Sequence, residues 1–113
     1  MKWYIPDCYL GSVSNGNTLT HEAVCVLNPG DTDADVKLTL LFEDRAEMSG
    51  FSAAVGARRT NHIRLDKIVS EQGEAIPRDL PYAIEIDCDV PIKIQYTRVD
   101  TSQKELALMS VMV

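Results

Sequence analysis

The sequence predicts an all-β protein, an antiparallel two-sheet β-sandwich of about seven to nine short strands in one domain spanning residues 1–113. Three observations predict it. Apolar residues recur with a period of two in run after run. Turn formers fall between these runs. No segment combines helical spacing with good caps over the length of an ordinary helix. Short strands separated by turns bury their apolar faces best as two packed sheets.

The elements follow in chain order. The opening "MKWYIPDCYLGS" lacks a long apolar core, so it reads as no secretory signal, and the chain is expected in the cytoplasm. Cys8 falls in an expected loop. Trp3, Tyr4 and Tyr9 cluster here, either packed at the sandwich end or forming a stacking wall for a ligand. "SNGN", Ser14–Asn17, is a hairpin-type signal. Thr18–Leu27 alternates, with Leu19, Ala23, Cys25 and Leu27 on one face and His21 among them. His21 is thus expected on the core side, as a satisfied core histidine or a ligand-pocket histidine, and Glu22 on the wet side. "NPGD", Asn28–Asp31, suits a type II turn with positive φ at Gly30.

Asp35–Glu43 aligns Val36, Leu38, Leu40 and Phe42, and Gly50–Val55 aligns Phe51, Ala53 and Val55. Ser70–Pro81 is the one long loop. Tyr82, Ile84, Ile86 and Cys88 alternate in the next strand, and Ile92, Ile94 and Tyr96 in the one after "DVP". "TSQKELALM" offers a short helix start, but Leu106–Val113 reads better as a final strand, apolar on both faces. Such a strand is either central or covered by a partner subunit.

Val55–Ile68 is the basic strand of an acidic protein. Arg58, Thr60, His62 and Arg64 fall on one side, and Arg59, Asn61, Ile63 and Leu65 on the other. The first side is either the wet face of a sandwich strand or a site. Arg58, Arg59, Arg64 and Arg98 pair either with Glu22, Glu85, Asp87 or Asp100 across strands, or with an anion or partner through their rigid forks.

Composition narrows the functional classes. The 113 residues are 45% hydrophobic and 25% charged, as in a globular domain. A chain of this length buries roughly two-thirds of its unfolded surface without metal or disulfide help. The net charge of −6 weakens duplex DNA binding, which needs phosphates neutralised by Lys and Arg. Segregation of charge onto the basic strand keeps that reading open. Three cysteines without CxxC spacing suit neither a disulfide framework nor a zinc ribbon, and Cys25 and Cys88 read as small buried hydrophobes.

No catalytic motif emerges. His21 and His62 are the two histidines, and no nucleophile motif accompanies either. No ligand spacing supports a metal site, and Gly50 and Gly56 stand isolated rather than in a phosphate loop. The expectation is no enzyme, no metal and no cofactor.

Four segments in order, "HEAVCVLNPGDTDADV" (His21–Val36), "ARRTNHIRLDKI" (Ala57–Ile68), "IPRD" (Ile76–Asp79) and "VPIKIQYTRVDTSQ" (Val90–Gln103), resemble the sensory rhodopsin transducer family of small soluble bacterial proteins. The resemblance runs from about Trp3 to Ser110. It implies a compact jelly-roll-like subunit that forms a homo-oligomer, a tetramer. It also implies binding to the cytoplasmic face of a seven-helix sensory rhodopsin, or to another receptor, and no catalytic residues. Receptor loops on that face are rich in Lys and Arg, toward which an acidic protein is steered.

The leading expectation is therefore a non-enzymatic signalling adaptor that works as a homo-oligomer. The alternatives are a module for a sugar or anionic metabolite and, after it, a DNA-binding regulator. The candidate ligand or partner residues are His21, Glu22, Arg58, Arg59, His62, Arg64, Gln95 and Arg98.

Overall fold

A computed structural model describes residues 1–113. The strands are β1 (Lys2–Tyr9), β2 (His21–Asn28), β3 (Ala34–Phe42), β4 (Met48–Val55), β5 (Arg59–Arg64), β6 (Pro81–Asp87), β7 (Lys93–Asp100) and β8 (Ala107–Met112). They form two antiparallel four-stranded sheets in the orders β1-β6-β3-β4 and β5-β2-β7-β8. The expected all-β, jelly-roll-like sandwich is therefore present, and it contains no helix. The chain crosses repeatedly between sheets, so most pairing is between strands distant in sequence.

The core lies between the sheets as one cluster of 21 buried residues. Val36, Leu38 and Leu40 of β3, Phe51 and Val55 of β4, and Ile84 and Ile86 of β6 face it, as their alternation requires. Ile63 and Leu65 on the basic strand face it too, and so do Ile92, Ile94 and Tyr96. Phe42 and Ala53 are only partly buried against it. One isolated bridge ties Ala75 of the Ser70–Pro81 loop to Val69 just before it, and the loop buries Ile76.

The structure reverses the expected faces of β2. Glu22, Val24, Val26 and Asn28 point into the core, while Cys25 is half-buried and Leu27 exposed on the outer side. His21 is therefore not a core histidine, and Glu22 is not on the wet face. Both faces of this strand carry apolar residues, so alternation alone leaves the one-residue choice of face open. Burial is tolerated because the polar ends find partners. The Asn28 amide donates to the Thr32 and Val55 carbonyls at 2.8 and 3.1 Å.

Cys8 is fully buried in β1, not in a loop. The register shifts between Ile5 and Cys8, around Pro6. This bulge on an edge strand breaks the period of two and hides the strand in the sequence. Trp3 packs against the core, whereas Tyr4 and Tyr9 are exposed, so these aromatics do not pack together.

Two turns also differ. Gly30 is not among the positive-φ glycines, so "NPGD" is no type II turn. Asn28 Oδ1 instead accepts the Gly30 N–H at 3.1 Å and closes the turn with its side chain. The Asn-Gly pair does form a turn, with Gly16 at φ 77°, but it lies on the crossing from β1 to β2 in different sheets, not in a hairpin.

The final strand β8 forms and no helix precedes it. It is not central. It pairs only with β7, at the edge of its sheet, and all six residues are exposed.

Candidate functional site

The candidate residues separate into three places. The first is buried. Glu22 and Arg98 are register partners on β2 and β7, and both turn inward. Glu22 is 1% exposed. Its Oε1 accepts the Tyr82 hydroxyl at 2.5 Å, and its Oε2 accepts the Tyr9 N–H at 2.9 Å and also the Tyr96 hydroxyl. Arg98 Nε lies 3.7 Å from Oε2 and donates to the Tyr96 hydroxyl at 3.2 Å. One carboxylate thus collects donors from β1, β6 and β7, and so from both sheets.

Burial pushes the Glu22 carboxyl above its ordinary range, while the Tyr82 and Tyr9 hydrogen bonds and Arg98 pull it back. Burial, with the neighbouring Glu22 charge, likewise raises the Cys8 thiol and the Tyr82 phenol. Neither is an ionised nucleophile at neutral pH. Tyr9, Tyr82 and Tyr96 escaped the sequence reading as partners of Glu22. The available signal was two tyrosines on core faces, whose hydroxyls need acceptors once buried.

The second place is the outer face of the β5-β2-β7-β8 sheet. His62, Cys25, Gln95 and Met112 lie in register across its four strands. With Leu27 and Lys93 they line a shallow depression of about 220 Å³. His62 and Gln95 are thus brought together. Burial raises the Cys25 thiol. Arg64 is beside Ala23 on this face and makes a two-bond fork to Asp66 at 2.8 and 2.9 Å. Burial alone would push the Asp66 carboxyl up, but the Arg64 bonds and charge outweigh it and hold the group low. His21 Nδ1 donates to the Leu19 carbonyl at 2.7 Å.

The third place is the turn before β5. Arg58 has φ 58° and donates to the Pro29 carbonyl at 2.7 Å, and Arg59 donates to the Arg58 carbonyl at 3.2 Å. Both are exposed.

Of the expected cross-strand ion pairs, Arg98 with Glu22 forms and the others do not. Glu85 and Asp87 lie on the opposite sheet, where they meet Lys2 at 3.6 Å and the N-terminal ammonium at 3.7 Å. The four arginines form no continuous basic track, since Arg64 is neutralised locally and Arg98 turns inward. No three His, Cys, Asp or Glu side chains converge as metal ligands. No helix is long and apolar enough to cross a membrane.

The comparisons agree with the resemblance read from the sequence. Among solved structures the chain is similar to Thermotoga maritima 1070, with 32% identity and a TM-score of 0.87, over 98% of this chain and 90% of that one. It is also similar to the Anabaena sensory rhodopsin transducer, with 36% identity and a TM-score of 0.76, over 91% of this chain and 90% of that one. No curated protein matches it. The family described as Anabaena sensory rhodopsin transducer matches residues 1–113 from end to end, and the chain belongs to that family.

Proposed function

We propose that the chain is a non-enzymatic signalling adaptor of the cytoplasm that works as a homo-oligomer and binds the inner face of a membrane receptor, a seven-helix sensory rhodopsin or another receptor. The observation that carries the oligomer is β8. Leu108 and Met112 on its outer side are 64% and 68% exposed, and Met109 and Val111 on its inner side are exposed too. An edge strand with a free row of backbone donors and acceptors and apolar side chains on both faces invites a partner. The outer sheet face beside it continues this patch through Leu27 and Cys25. A second copy buries all of it.

Receptor binding is supported by family membership and by the net charge of −6, which suits loops rich in Lys and Arg.

Native mass spectrometry tests the oligomer. A tetramer that the double variant Leu108→Asp, Met112→Asp converts to folded monomers is the expected result. A monomeric wild type at micromolar concentration would sink the oligomer. Vesicles carrying a purified seven-helix sensory rhodopsin test the receptor. Capture at low salt that weakens at high salt is expected, and equal capture by empty vesicles would sink that half of the reading.

A further inference from the structure

A second cavity lies on the inner side of β7, whose Arg98 and Asp100 pair with Met109 and Ala107 of β8, where the segment after β1, the start of β2, the Asp79 turn and the end of β7 meet. It measures about 290 Å³, at the lower edge of the range of about 300–1,000 Å³ usual for small-molecule sites. Tyr9, Ser12, Thr20, Asp79, Arg98 and Asp100 line it.

Its charged groups are differently engaged. Asp79 has both oxygens taken by Ser12, through the N–H at 3.0 Å and the hydroxyl at 2.6 Å. It latches the cavity wall. Arg98 uses Nε on Tyr96, 3.7 Å from the Glu22 carboxylate, and Nη2 on the Asp7 carbonyl at 3.2 Å and the Asp7 carboxylate at 3.5 Å. Nη1 is left for a ligand. Asp100 accepts the Ser102 N–H on Oδ1 at 2.8 Å. The Ser102 side chain also supports this carboxylate, and Oδ2 keeps a lone pair for a ligand. Arg98 and Asp100 are two residues apart on β7, so they project to the same side of the strand, one cation beside one anion.

This pairing selects the ligand. A simple anion meets Arg98 but is repelled by Asp79 and Asp100. A simple cation meets the carboxylates but is repelled by Arg98. A neutral polyol satisfies both groups, yet only through its uncharged hydroxyls. A ligand with an adjacent carboxylate and ammonium makes charge-assisted bonds at both ends, each about twice as strong as a neutral one. We propose that this cavity binds a small zwitterion of the α-amino-acid class, its carboxylate on Nη1 of Arg98 and its ammonium on Oδ2 of Asp100. The exposed Tyr9 ring at the rim offers an apolar wall to the ligand's side chain. Because the Arg98 guanidinium also contacts Tyr96 and lies beside Glu22, occupancy is felt at the junction of the two sheets.

The site is independent of the adaptor reading and is tested on the intact protein. The probes are the common amino acids, glucose and acetate, each at millimolar concentration, read by thermal shift and titration calorimetry. At least one amino acid is expected to raise the melting temperature, with glucose and acetate inert. Asp100→Asn keeps an acceptor for the Ser102 N–H and is expected to unfold like wild type, yet to bind about tenfold or more weakly. Arg98→Lys should weaken binding as well, because an ammonium has no Nη1 donor to offer the ligand beside the bonds to Tyr96 and Asp7. No response to any amino acid overturns the proposal. So does a response to glucose or acetate alone, or equal binding by Asp100→Asn.

Discussion

The Tyr82 hydroxyl, from one sheet, donates a 2.5 Å hydrogen bond to the carboxylate of Glu22, from the other. The two residues are 60 positions apart in the chain. A polar bond thus bolts the sheets together inside an otherwise apolar core. Four predictions follow from this bolt and from the loops and ion pairs around it.

Glu22→Ala is expected to cost about 2–4 kcal/mol, because it opens a cavity and leaves the buried Tyr82 and Tyr96 hydroxyls without their acceptor. Tyr82→Phe should cost about 1–2 kcal/mol by removing one donor to a buried carboxylate. Urea unfolding at fixed protein concentration measures both. A cost within error of zero for Glu22→Ala would refute the bolt.

The same group sets a pH dependence. The folded protein holds the Glu22 proton more tightly than the unfolded chain, since its carboxyl is raised from an ordinary value of 4.5. The folded state therefore binds more protons between the two values, and stability falls as pH rises through that window. The Glu22 contribution is fully present below the ordinary value and lost once pH passes the folded one. Melting curves of wild type and Glu22→Gln across that range should converge at the acid end. Parallel curves would show that Glu22 titrates as it does unfolded.

Asp66 acts in the opposite sense. Arg64 holds it below its ordinary value of 3.8, so its contribution is present above that value and lost as pH falls through the folded one. Asp66→Asn should cost about 1 kcal/mol at neutral pH, a modest figure because the Arg64 side chain is one-third exposed and screened. The difference from wild type should shrink in acid. Chemical denaturation at two pH values checks it.

Gly50 sits at φ 90°, in the stretch where β4 slips one residue against β3 between the Phe51 and Met48 pairs. A Cβ there would meet the Gln72 side chain at 3.1 Å. Gly50→Ala is expected to cost about 1–2 kcal/mol through left-handed strain and this close approach. Gly16→Ala has the same strain but open space around it, and should cost less. Equal melting temperatures for the two variants would remove the steric part of the argument.

Much of the fold was legible in the residues. Val36, Leu38 and Leu40 alternate against polar neighbours, and so do Tyr82, Ile84 and Ile86, so each strand has one face that must be buried. Ile63 and Leu65 marked the inner side of the basic strand in the same way. The site was far less legible. His62 and Gln95 converge only because β2 lies between β5 and β7, and no local pattern specifies that order. Glu22 looked solvated because the alternation of Leu19, Ala23, Cys25 and Leu27 put it on the opposite face, and the three tyrosines that bond it come from three other strands.

The sequence by itself determined the all-β class, the core faces of most strands and the family, because strand periodicity and turn chemistry are local and chain-wide motifs are linear. Tertiary structure alone decided which side of β2 faces inward, that Cys8 is buried past the Pro6 bulge, and that β8 is an uncovered edge. Each of those outcomes depends on partners far along the chain. With apolar residues on both faces of β2, the tyrosine donors of distant strands turned Glu22 inward, and packing rather than periodicity made the choice.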